Sequence, residues 1–403
     1  MARVWIYDRS NTKRYKDAVQ KAKLARREPP GRWMVQYYDL AGDLRSEVFS
    51  TKTPAETRRS TLESALLSGS YVDPAKSRVP LETVAETWLS SRNGLRPSTW
   101  WKYRGLLDNH VLPRWGEVPL NAISKEDIGA WVGKLVRPSS EGGSSLGASQ
   151  ARHAYRVLSM ILIWCVPDRL PQNPAKDVEL PIPPELEHIY LTYRQVEALA
   201  TAAGTLTTKY GRPTAHADIN RAFILLLAYT GLRLGEAAAL RIKNVNLESR
   251  RIRVVSTFTE AKGGLREGPP KSGKKRTVAL PTSLVPILRD VIGDRPEDEL
   301  LFTTGRGQPV RANNWRLREF VPAVEAAKLK VQGLTPHKLR HTAASLAIAA
   351  GADVKVVQLM LGHADASMTL NVYGHLWPDR LDEVADVLDI RRTAALGEED
   401  RAA

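Results

Sequence analysis

The chain has 403 residues, with 59 Lys or Arg against 44 Asp or Glu, so its net charge is +15. At about 100–200 residues per domain, this length predicts two to four domains. The single cysteine, Cys165, excludes a disulfide framework, and the longest apolar run, residues 222–229, is far shorter than the roughly 20 residues that span a bilayer. Residues 1–14 show no leader-like apolar stretch, so we expect a cytoplasmic protein.

The positive charge lies in two separate blocks. Residues 1–32 hold ten Lys or Arg against three Asp or Glu, and residues 181–380 hold 28 against 18. Residues 381–403 are acidic, with seven Asp or Glu against three Arg. Two basic blocks with near-neutral sequence between them are typical of a protein that meets nucleic acid at more than one place.

Residues 1–70 are predicted to form a small sheet followed by a helix. Three segments are rich in aromatic and β-branched residues and are strand candidates: 4–7, 32–38 and 45–49. Thr53 is placed to cap a helix over 54–67, with Glu56 at the third helical position. Residues 71–79 are predicted to be a linker.

Residues 80–170 are predicted to form a compact module of four or five helices. Apolar residues repeat at helical spacing in its first segment: Leu81, Val84, Ala85, Trp88 and Leu89. Ser124 with Asp127 resembles a capping box, and Cys165 is expected in the core. Two proline clusters then favour a semi-rigid linker over residues 171–188.

A second, largely helical unit is predicted over residues 189–380. It contains a candidate hairpin, whose strands 251–255 and 277–280 are joined by a long polar connection. The predicted fold class is therefore multidomain and mainly α, with small β elements. Residues 381–403 are predicted to include an amphipathic helix, which either packs on its own domain or docks onto a neighbouring subunit.

Four local patterns in the second unit call for one explanation. In chain order they are Thr230-Gly231-Leu232-Arg233, then Pro270-Lys271-Ser272, then His337-Lys338-Leu339-Arg340-His341-Thr342, then Leu361-Gly362-His363 with Tyr373 ten residues later. This ordered set resembles the tyrosine recombinases of the phage-integrase family. The resemblance covers roughly residues 80–380 and implies the recombinase catalytic fold, preceded by a helical core-binding domain.

The residue types suit chemistry on a phosphodiester. Attack on this anion builds further negative charge, and two guanidinium groups can clamp the non-bridging oxygens with paired N–H donors. Arg233 and Arg340 are the candidates. The histidines lack a Cys or carboxylate companion at ligand spacing, so we expect neither a metal nor another cofactor.

The resemblance assigns roles to the remaining residues. It implies that Tyr373 attacks the scissile phosphate, forms a 3′-phosphotyrosyl link and releases a 5′-hydroxyl. It implies that Lys271 protonates the leaving oxygen, and that His337 and His363 bind phosphate and assist proton transfer. Glu236 matches an acidic position of the family, which implies that its carboxylate orients neighbouring His or Arg side chains. His341 is predicted to have only a structural role.

Candidate DNA contacts lie in both units. In the hairpin connection they are Lys274, Lys275 and Arg276, which could equally form a solvated turn. In the helical module they are Trp100, Lys102, Arg104, Arg152 and Arg156, although Trp100 could equally belong to the core. Residues 1–70 resemble the arm-type DNA-binding domain of larger integrases, with a protein–protein module as the alternative.

These features predict a phage or prophage integrase that integrates and excises mobile DNA through a Holliday junction. The resemblance implies a homotetramer on double-stranded DNA with core and arm attachment sites, helped by a host DNA-bending factor and an excision factor, without a membrane. Three alternatives stay open: a Xer-type resolvase, a type IB topoisomerase-like nicking–closing enzyme, and a DNA-binding regulator without activity.

Overall fold

The chain divides into two units, Met1–Glu185 and Leu186–Ala403. The computed structural model describes residues 4–39, 42–184, 189–207, 217–261, 264–271, 273–377 and 381–402. The first unit holds two separate apolar clusters, one under the N-terminal sheet and one within the helical module. The second unit is built around one large cluster, beside a smaller one that contains Tyr373.

The N-terminal part of the first unit is an antiparallel sheet covered by a helix. Its strands pair in the order β1-β2-β3. The elements are β1 (Val4–Asp8), α1 (Lys13–Leu24), β2 (Trp33–Tyr38), β3 (Leu44–Phe49) and α2 (Lys52–Leu67). Leu62 and Leu66 of α2 are buried against Val35 and Tyr37 of β2, so the predicted sheet and its covering helix are both present.

Helix α2 begins two residues earlier than predicted. Thr51, not Thr53, stands at its N-cap, and the Thr51 side chain makes no capping hydrogen bond. Pro54 is then the third helical residue, where its missing N–H costs nothing because the first turn has no intrahelical partners. The ion pair between Lys52 and Glu56, at 3.1 Å, lies within this added turn.

The segment predicted as the linker 71–79 is packed against its neighbours. Tyr71 is buried, and its hydroxyl lies 3.2 Å from that of Tyr37. Asp73 pairs with Arg45 of β3 at 3.1 Å. These contacts attach the segment to the N-terminal sheet, and the short helix α3 (Pro74–Ser77) occupies its middle.

After α3, the described part of the first unit contains five α-helices, in line with the predicted helical module. They are α4 (Leu81–Ser90), α5 (Pro97–Leu106), α6 (Leu112–Trp115), α7 (Lys125–Val136) and α8 (Ala148–Trp164). Trp88, Trp115 and Cys165 are buried in the core of this module. The Ser124 side chain accepts a hydrogen bond from the Asp127 backbone N–H, so the predicted cap of α7 is present.

The first part of the predicted linker 171–188 lies on the helical module. Ala175 is buried in the core of the module, and Val178 and Leu180 pack against that core. The Asn173 amide also donates to the Ser159 hydroxyl at 3.2 Å. The prediction of a spacer is therefore revised for this stretch, because its apolar side chains find a surface to cover. Residues 185–188 lie outside the described part of the chain.

The second unit surrounds a buried helix with further helices and small sheets. Its helices are α9 (Tyr193–Gly204), α10 (Ala217–Thr230), α11 (Leu234–Ala238), α12 (Leu284–Ile292), α13 (Ala312–Trp315), α14 (Val321–Ala326), α15 (Pro336–Ala349), α16 (Val354–Leu361), α17 (Ala366–Tyr373) and α18 (Leu381–Ala402). The apolar run of α10 is almost wholly buried, which explains why this helix is hydrophobic on all sides.

The strands of the second unit form two small sheets. The strands are β4 (Val245–Asn246), β5 (Arg251–Val254), β6 (Thr257–Ala261), β7 (Gly264–Gly268) and β8 (Arg276–Ala279). Strand β5 pairs with β8, as predicted for the hairpin. The predicted polar connection contains a second hairpin, β6–β7, whose strands pair from Thr257 with Gly268 to Ala261 with Gly264.

Helix α18 exposes apolar side chains. Val387, Leu388 and Ile390 are 48%, 62% and 68% exposed. Because these three side chains are exposed, the face of α18 that carries them is not packed on its own domain. Within the described ranges, no helix has the length and apolar character needed to cross a membrane.

Candidate active site

The end of helix α10 sets the position of Arg233. Gly231 has a φ of +66°, in the left-handed region that favours glycine. A Cβ at this position would lie 2.8 Å from Leu361 Cδ2, so packing requires glycine as well. The chain then turns into α11, and the Arg233 side chain stays 24% exposed.

Glu236 supplies a buried negative charge beside Arg233. Its side chain is 0% exposed and accepts from Arg233 Nη1 at 2.9 Å and from the Arg233 backbone N–H at 3.0 Å. Burial alone would raise the pKa of Glu236, yet the hydrogen bonds and charge of Arg276, followed by those of Arg233, hold this pKa below its usual value. Glu236 is therefore an ionised carboxylate between two arginines.

Arg276 is turned into the protein, in contrast to the predicted DNA contact. Its Nη1 and Nη2 donate to the two carboxylate oxygens of Glu236 at 3.0 and 2.7 Å. Its Nε donates to the Met360 carbonyl at 3.3 Å, and its side chain is 10% exposed. The prediction for Arg276 is revised, because the buried Glu236 carboxylate takes both of its terminal nitrogens and balances its positive charge.

Arg340 joins the ends of two helices. It lies on α15 and is 3% exposed. Its Nη1 donates to the Gly231 carbonyl after α10, and its Nη2 donates to the Leu361 carbonyl at the end of α16, both at 2.6 Å. Burial, followed by the charge of Arg233, lowers the pKa of Arg340 to about 9, which still leaves it charged at neutral pH.

The structure brings His337 and His363 into the field of the same arginines. Burial, then the charges of Arg340 and Arg233, lower the pKa of His363 to about 4. Desolvation by surrounding atoms, then the same two charges, lower the pKa of His337. His363 Nδ1 lies 2.9 Å from the buried Thr369 hydroxyl, which orients the ring. Both imidazoles are therefore neutral at pH 7.

Tyr373, at the end of α17, is enclosed in a small apolar cluster. It is 2% exposed and packs with Ala344, Ile348, Val357 and Leu361. Burial raises the pKa of Tyr373 to about 12, although the charge of Arg340 opposes this rise. The phenol is therefore protonated and withdrawn from solvent in this structure.

His341 is a candidate site residue that the sequence reasoning missed. Its Nδ1 lies 2.9 Å from the Tyr373 hydroxyl, and its ring centroid lies 5.0 Å from that of His337. A signal was available: His341 follows His337 by four residues, which places both rings on one face of α15. The structure therefore places His341 at the Tyr373 hydroxyl, a contact that the sequence pattern did not predict.

Lys271, Lys274 and Lys275 are exposed on the connection between β7 and β8. The charge of Lys271 contributes to the lowered pKa of His337, so it lies within electrostatic range of the cluster. Ser272, its neighbour in the motif, lies outside the described residues. The exposed lysines are free to meet a phosphate backbone in a way that Arg276 is not.

The predicted DNA contacts of the helical module differ in exposure. Lys102 and Arg156 are exposed, and Arg152 is half-buried with its Nη1 3.3 Å from the Pro181 carbonyl. Arg104 is bound by Glu86 and Asp108, and Trp100 packs against the core. Arg104 and Trp100 therefore have structural partners that the sequence pattern did not reveal.

The side chains gathered around Arg233 and Arg340 suit an anion. Within the described ranges no group of three His, Cys, Asp or Glu side chains could hold a metal ion. Arg233, Arg340, His337 and His363 instead supply N–H donors and positive charge around one region. Such a cluster can bind a phosphodiester and stabilise added negative charge on it.

Comparison with known families agrees with this geometry. Residues 190–380 match the phage integrase family model, and residues 81–136 match the phage integrase N-terminal SAM-like domain. A protein named as a prophage phiRv2 integrase of Mycobacterium tuberculosis H37Rv is 28% identical over 371 residues, which cover 89% of this chain and 92% of that protein.

Two solved structures show the same fold. A Tn1549 transposon integrase fragment bound to transposon right-end DNA has a TM-score of 0.63 at 21% identity, over 78% of this chain and 100% of that one. A lambda integrase tetramer bound to a Holliday junction has a TM-score of 0.54 at 18% identity, over 86% of this chain and 93% of that one. From its two domain matches and its full-length relative, we conclude that the chain belongs to the phage integrase family of tyrosine recombinases, the site-specific DNA recombinases.

Proposed function

We propose that this recombinase is a phage or prophage integrase that cleaves duplex DNA through Tyr373. The observation that carries the proposal is the convergence of Arg233, Arg340, His337 and His363 beside the helix that ends in Tyr373. Integration of mobile DNA is favoured over a Xer-type role because an extra sheet-and-helix domain precedes the helical module.

The proposed step exchanges one phosphate ester for another. The Tyr373 oxygen attacks phosphorus, the bond from phosphorus to the 5′-oxygen breaks, and a 3′-phosphotyrosyl link forms. The phenol proton passes to a neutral imidazole, for which His341 is the partner at 2.9 Å. Lys271 donates a proton to the leaving oxygen, so the charges balance. Attack by a 5′-hydroxyl reverses these transfers and reseals the DNA without ATP.

The arginines and histidines stabilise the charge that builds on phosphorus. Arg233 and Arg340 bind the non-bridging oxygens, and losing one such preorganised donor costs on the order of 10²–10³ in rate. His337 and His363 contribute further N–H contacts. The lowered pKa values keep both rings neutral, so each can donate an N–H to a phosphate oxygen without adding a further positive charge to the cluster.

The enclosed Tyr373 implies that DNA binding must release it. A phenol 2% exposed among apolar side chains cannot reach a phosphate in solution. A shift of α17 that opens the apolar cluster while the hydroxyl stays beside His341 would expose the phenol to a phosphate. The proposal therefore treats the DNA-free arrangement as inactive, which prevents cleavage outside an assembled complex.

DNA is the substrate, and the proposal extends to how it is held. The helical module and the second unit are proposed to hold the core site, with Lys102, Arg156, Lys274 and Lys275 on the phosphate backbone. The N-terminal sheet is proposed to hold arm sites. We expect a homotetramer, helped by a host DNA-bending factor and an excision factor, acting on the bacterial nucleoid.

A nicked suicide substrate tests the proposal. Because the short fragment released by cleavage diffuses away, wild-type protein should accumulate as a covalent adduct of raised mass on a denaturing gel. Tyr373→Phe should bind the same DNA and form none. The proposal fails if wild type forms no adduct, or if Tyr373→Phe still does. Relaxation of a supercoiled plasmid without a partner site would favour the topoisomerase-like alternative.

A further inference from the structure

The guanidinium of Arg276 is fully engaged inside the second unit. Both of its terminal nitrogens contact Glu236, at 3.0 and 2.7 Å, and its Nε contacts the Met360 carbonyl at 3.3 Å. Its side chain is 10% exposed, less than half the 24% of Arg233. Paired, parallel contacts of this kind are the strongest that an arginine makes with a carboxylate.

The contact with Glu236 changes what Arg233 can do. Glu236 is completely buried and accepts from both arginines. If Arg276 were absent, Arg233 would be left as the nearest cation of an uncompensated buried carboxylate, which would hold it more tightly. With Arg276 present, its guanidinium balances the negative charge of Glu236. Arg233 then keeps its own positive charge available for a phosphate.

Arg276 also fixes the segment that leads into His363. A Cβ at position 362 would lie 2.7 Å from Arg276 Cδ and 2.8 Å from its Nε, so the arginine lies directly against Gly362. Arg340 holds the neighbouring Leu361 carbonyl at 2.6 Å. The short segment before His363 is therefore held from both sides, by an arginine of β8 and an arginine of α15.

We propose that Arg276 is a positioning residue for DNA cleavage: it neutralises Glu236 so that Arg233 can engage the scissile phosphate, and it fixes the turn that presents His363. The proposal rests on the proposed cleavage through Tyr373 and deepens it. Since β8 follows the connection that carries Lys271, the connection supplies the proposed acid and the first residue of the strand supports the arginine clamp.

Single-turnover cleavage of the suicide substrate by the full-length protein separates this role from DNA binding. Arg276→Met should form adduct about 100-fold more slowly, with a DNA dissociation constant within about threefold of wild type. Adding Glu236→Gln to Arg276→Met removes the uncompensated carboxylate. The double variant should form adduct at least about tenfold faster than Arg276→Met alone. Arg276→Lys, which keeps the charge but lacks the planar fork, should fall between wild type and Arg276→Met.

Arg241→Met is the control, because Arg241 also pairs with a glutamate, Glu267, at 2.9 Å, but both of these side chains are part-exposed and Glu236 is not involved. It should cleave within about threefold of wild type. The proposal is overturned if Arg276→Met cleaves like wild type, if Glu236→Gln restores nothing, or if the lost rate follows lost DNA affinity, as for a phosphate contact.

Two further outcomes are informative. If Arg276→Met does not fold, the double variant with Glu236→Gln replaces it. Adduct formation by the double variant within about tenfold of wild type would support the proposal, and a greater loss would overturn it. Absence of adduct from wild type itself would instead reject the proposed function, so the two failures are distinguishable.

Discussion

His363 shows how the site sets the charge of a single residue. Burial beside Arg340 and Arg233 lowers its pKa to about 4, whereas an ordinary imidazole titrates near 6.5. The proton is disfavoured because the ring would add a positive charge to a cluster that already holds several. The site thus keeps a neutral imidazole next to its cations until an anion arrives.

This shift predicts that stability falls with acidification. Between pH 6.5 and about 4 the unfolded chain protonates at position 363 while the folded chain does not, so the free energy of unfolding decreases as the pH falls through that window. The lowered pKa of His337 likewise makes the free energy of unfolding decrease as the pH falls. Hydrogen exchange of the α15–α17 amides, measured across this range, should show the loss of protection.

His363→Gln should make that dependence shallower, because position 363 no longer titrates. His153→Gln in the first unit is the control and should leave the dependence of the α15–α17 amides unchanged. Equal pH dependence in wild type and His363→Gln would contradict the account of the buried imidazole.

Two glycines with nearly equal φ angles, Gly362 and Gly307, allow a test of the Arg276 contact. Gly362→Ala should destabilise the second unit by about 2–4 kcal/mol, since it combines a positive φ with a clash against Arg276. Gly307→Ala has a similar φ, with nothing within 4 Å, and should cost only about 1 kcal/mol. Urea unfolding measures the free energy of unfolding of both variants. An equal decrease in the two would show that the close contact between Gly362 and Arg276 does not matter for stability.

At the scale of residues, sequence patterns located the ordered motif but not its internal partners. Arg276 lies in a basic run, and its acceptor Glu236 is 40 positions away, so no local spacing reveals the pair. His341 was underestimated for another reason: its partner Tyr373 is 32 positions distant. Non-local hydrogen bonds of this kind depend on how helices α15 and α17 pack.

The main feature of helix α1 is its exposed positive charge. None of its residues is buried, so packing provides little reason for its sequence. Its first and last turns carry exposed Lys13, Lys21 and Lys23. An exposed basic helix beside a small sheet is suited to a phosphate backbone.

Reversing charge on α1 should weaken DNA binding without unfolding the domain. The variant Lys16→Glu, Lys21→Glu and Lys23→Glu should lower affinity for arm-containing DNA at least about tenfold and flatten its salt dependence. Fluorescence anisotropy over a salt series measures both quantities. The corresponding Lys→Gln variant should be intermediate, whereas unchanged affinity would favour the protein–protein alternative for this domain.

Helix α18 exposes the apolar side chains that a neighbouring subunit could cover. Leu388→Asp with Ile390→Asp should leave the melting temperature of the DNA-free protein within about 2 °C, because neither side chain is buried. The same variant should reduce assembly on DNA and recombination, measured by light scattering and a plasmid assay. A large drop in melting temperature would instead indicate packing within one chain.

At the scale of elements, prediction succeeded where apolar periodicity was strong. The N-terminal sheet, the cap of α7 and the pairing of β5 with β8 were all predicted from local pattern. Helix α1 and the β6–β7 hairpin were missed because neither buries a regular apolar face. The packing of residues 171–180 was missed because prolines favour extended chain whether or not a neighbouring surface covers it.

At the scale of the whole molecule, the net charge of +15 divides between an N-terminal basic block and a basic second unit. Both are expected to meet DNA phosphates, so binding should weaken steeply with salt. The proposed nucleophile, Tyr373, is in contrast a neutral phenol enclosed in an apolar cluster. Affinity and chemistry therefore depend on different parts of the chain.

Peptide mapping of the trapped adduct shows which residue forms the bond to DNA. After proteolysis and nuclease digestion, mass spectrometry should find the nucleotide on Tyr373, joined through a 3′-phosphate. Tyr190, which packs against the same cluster, is the nearest rival phenol. Attachment to Tyr190 or any other residue, or through a 5′-phosphate, would contradict the account.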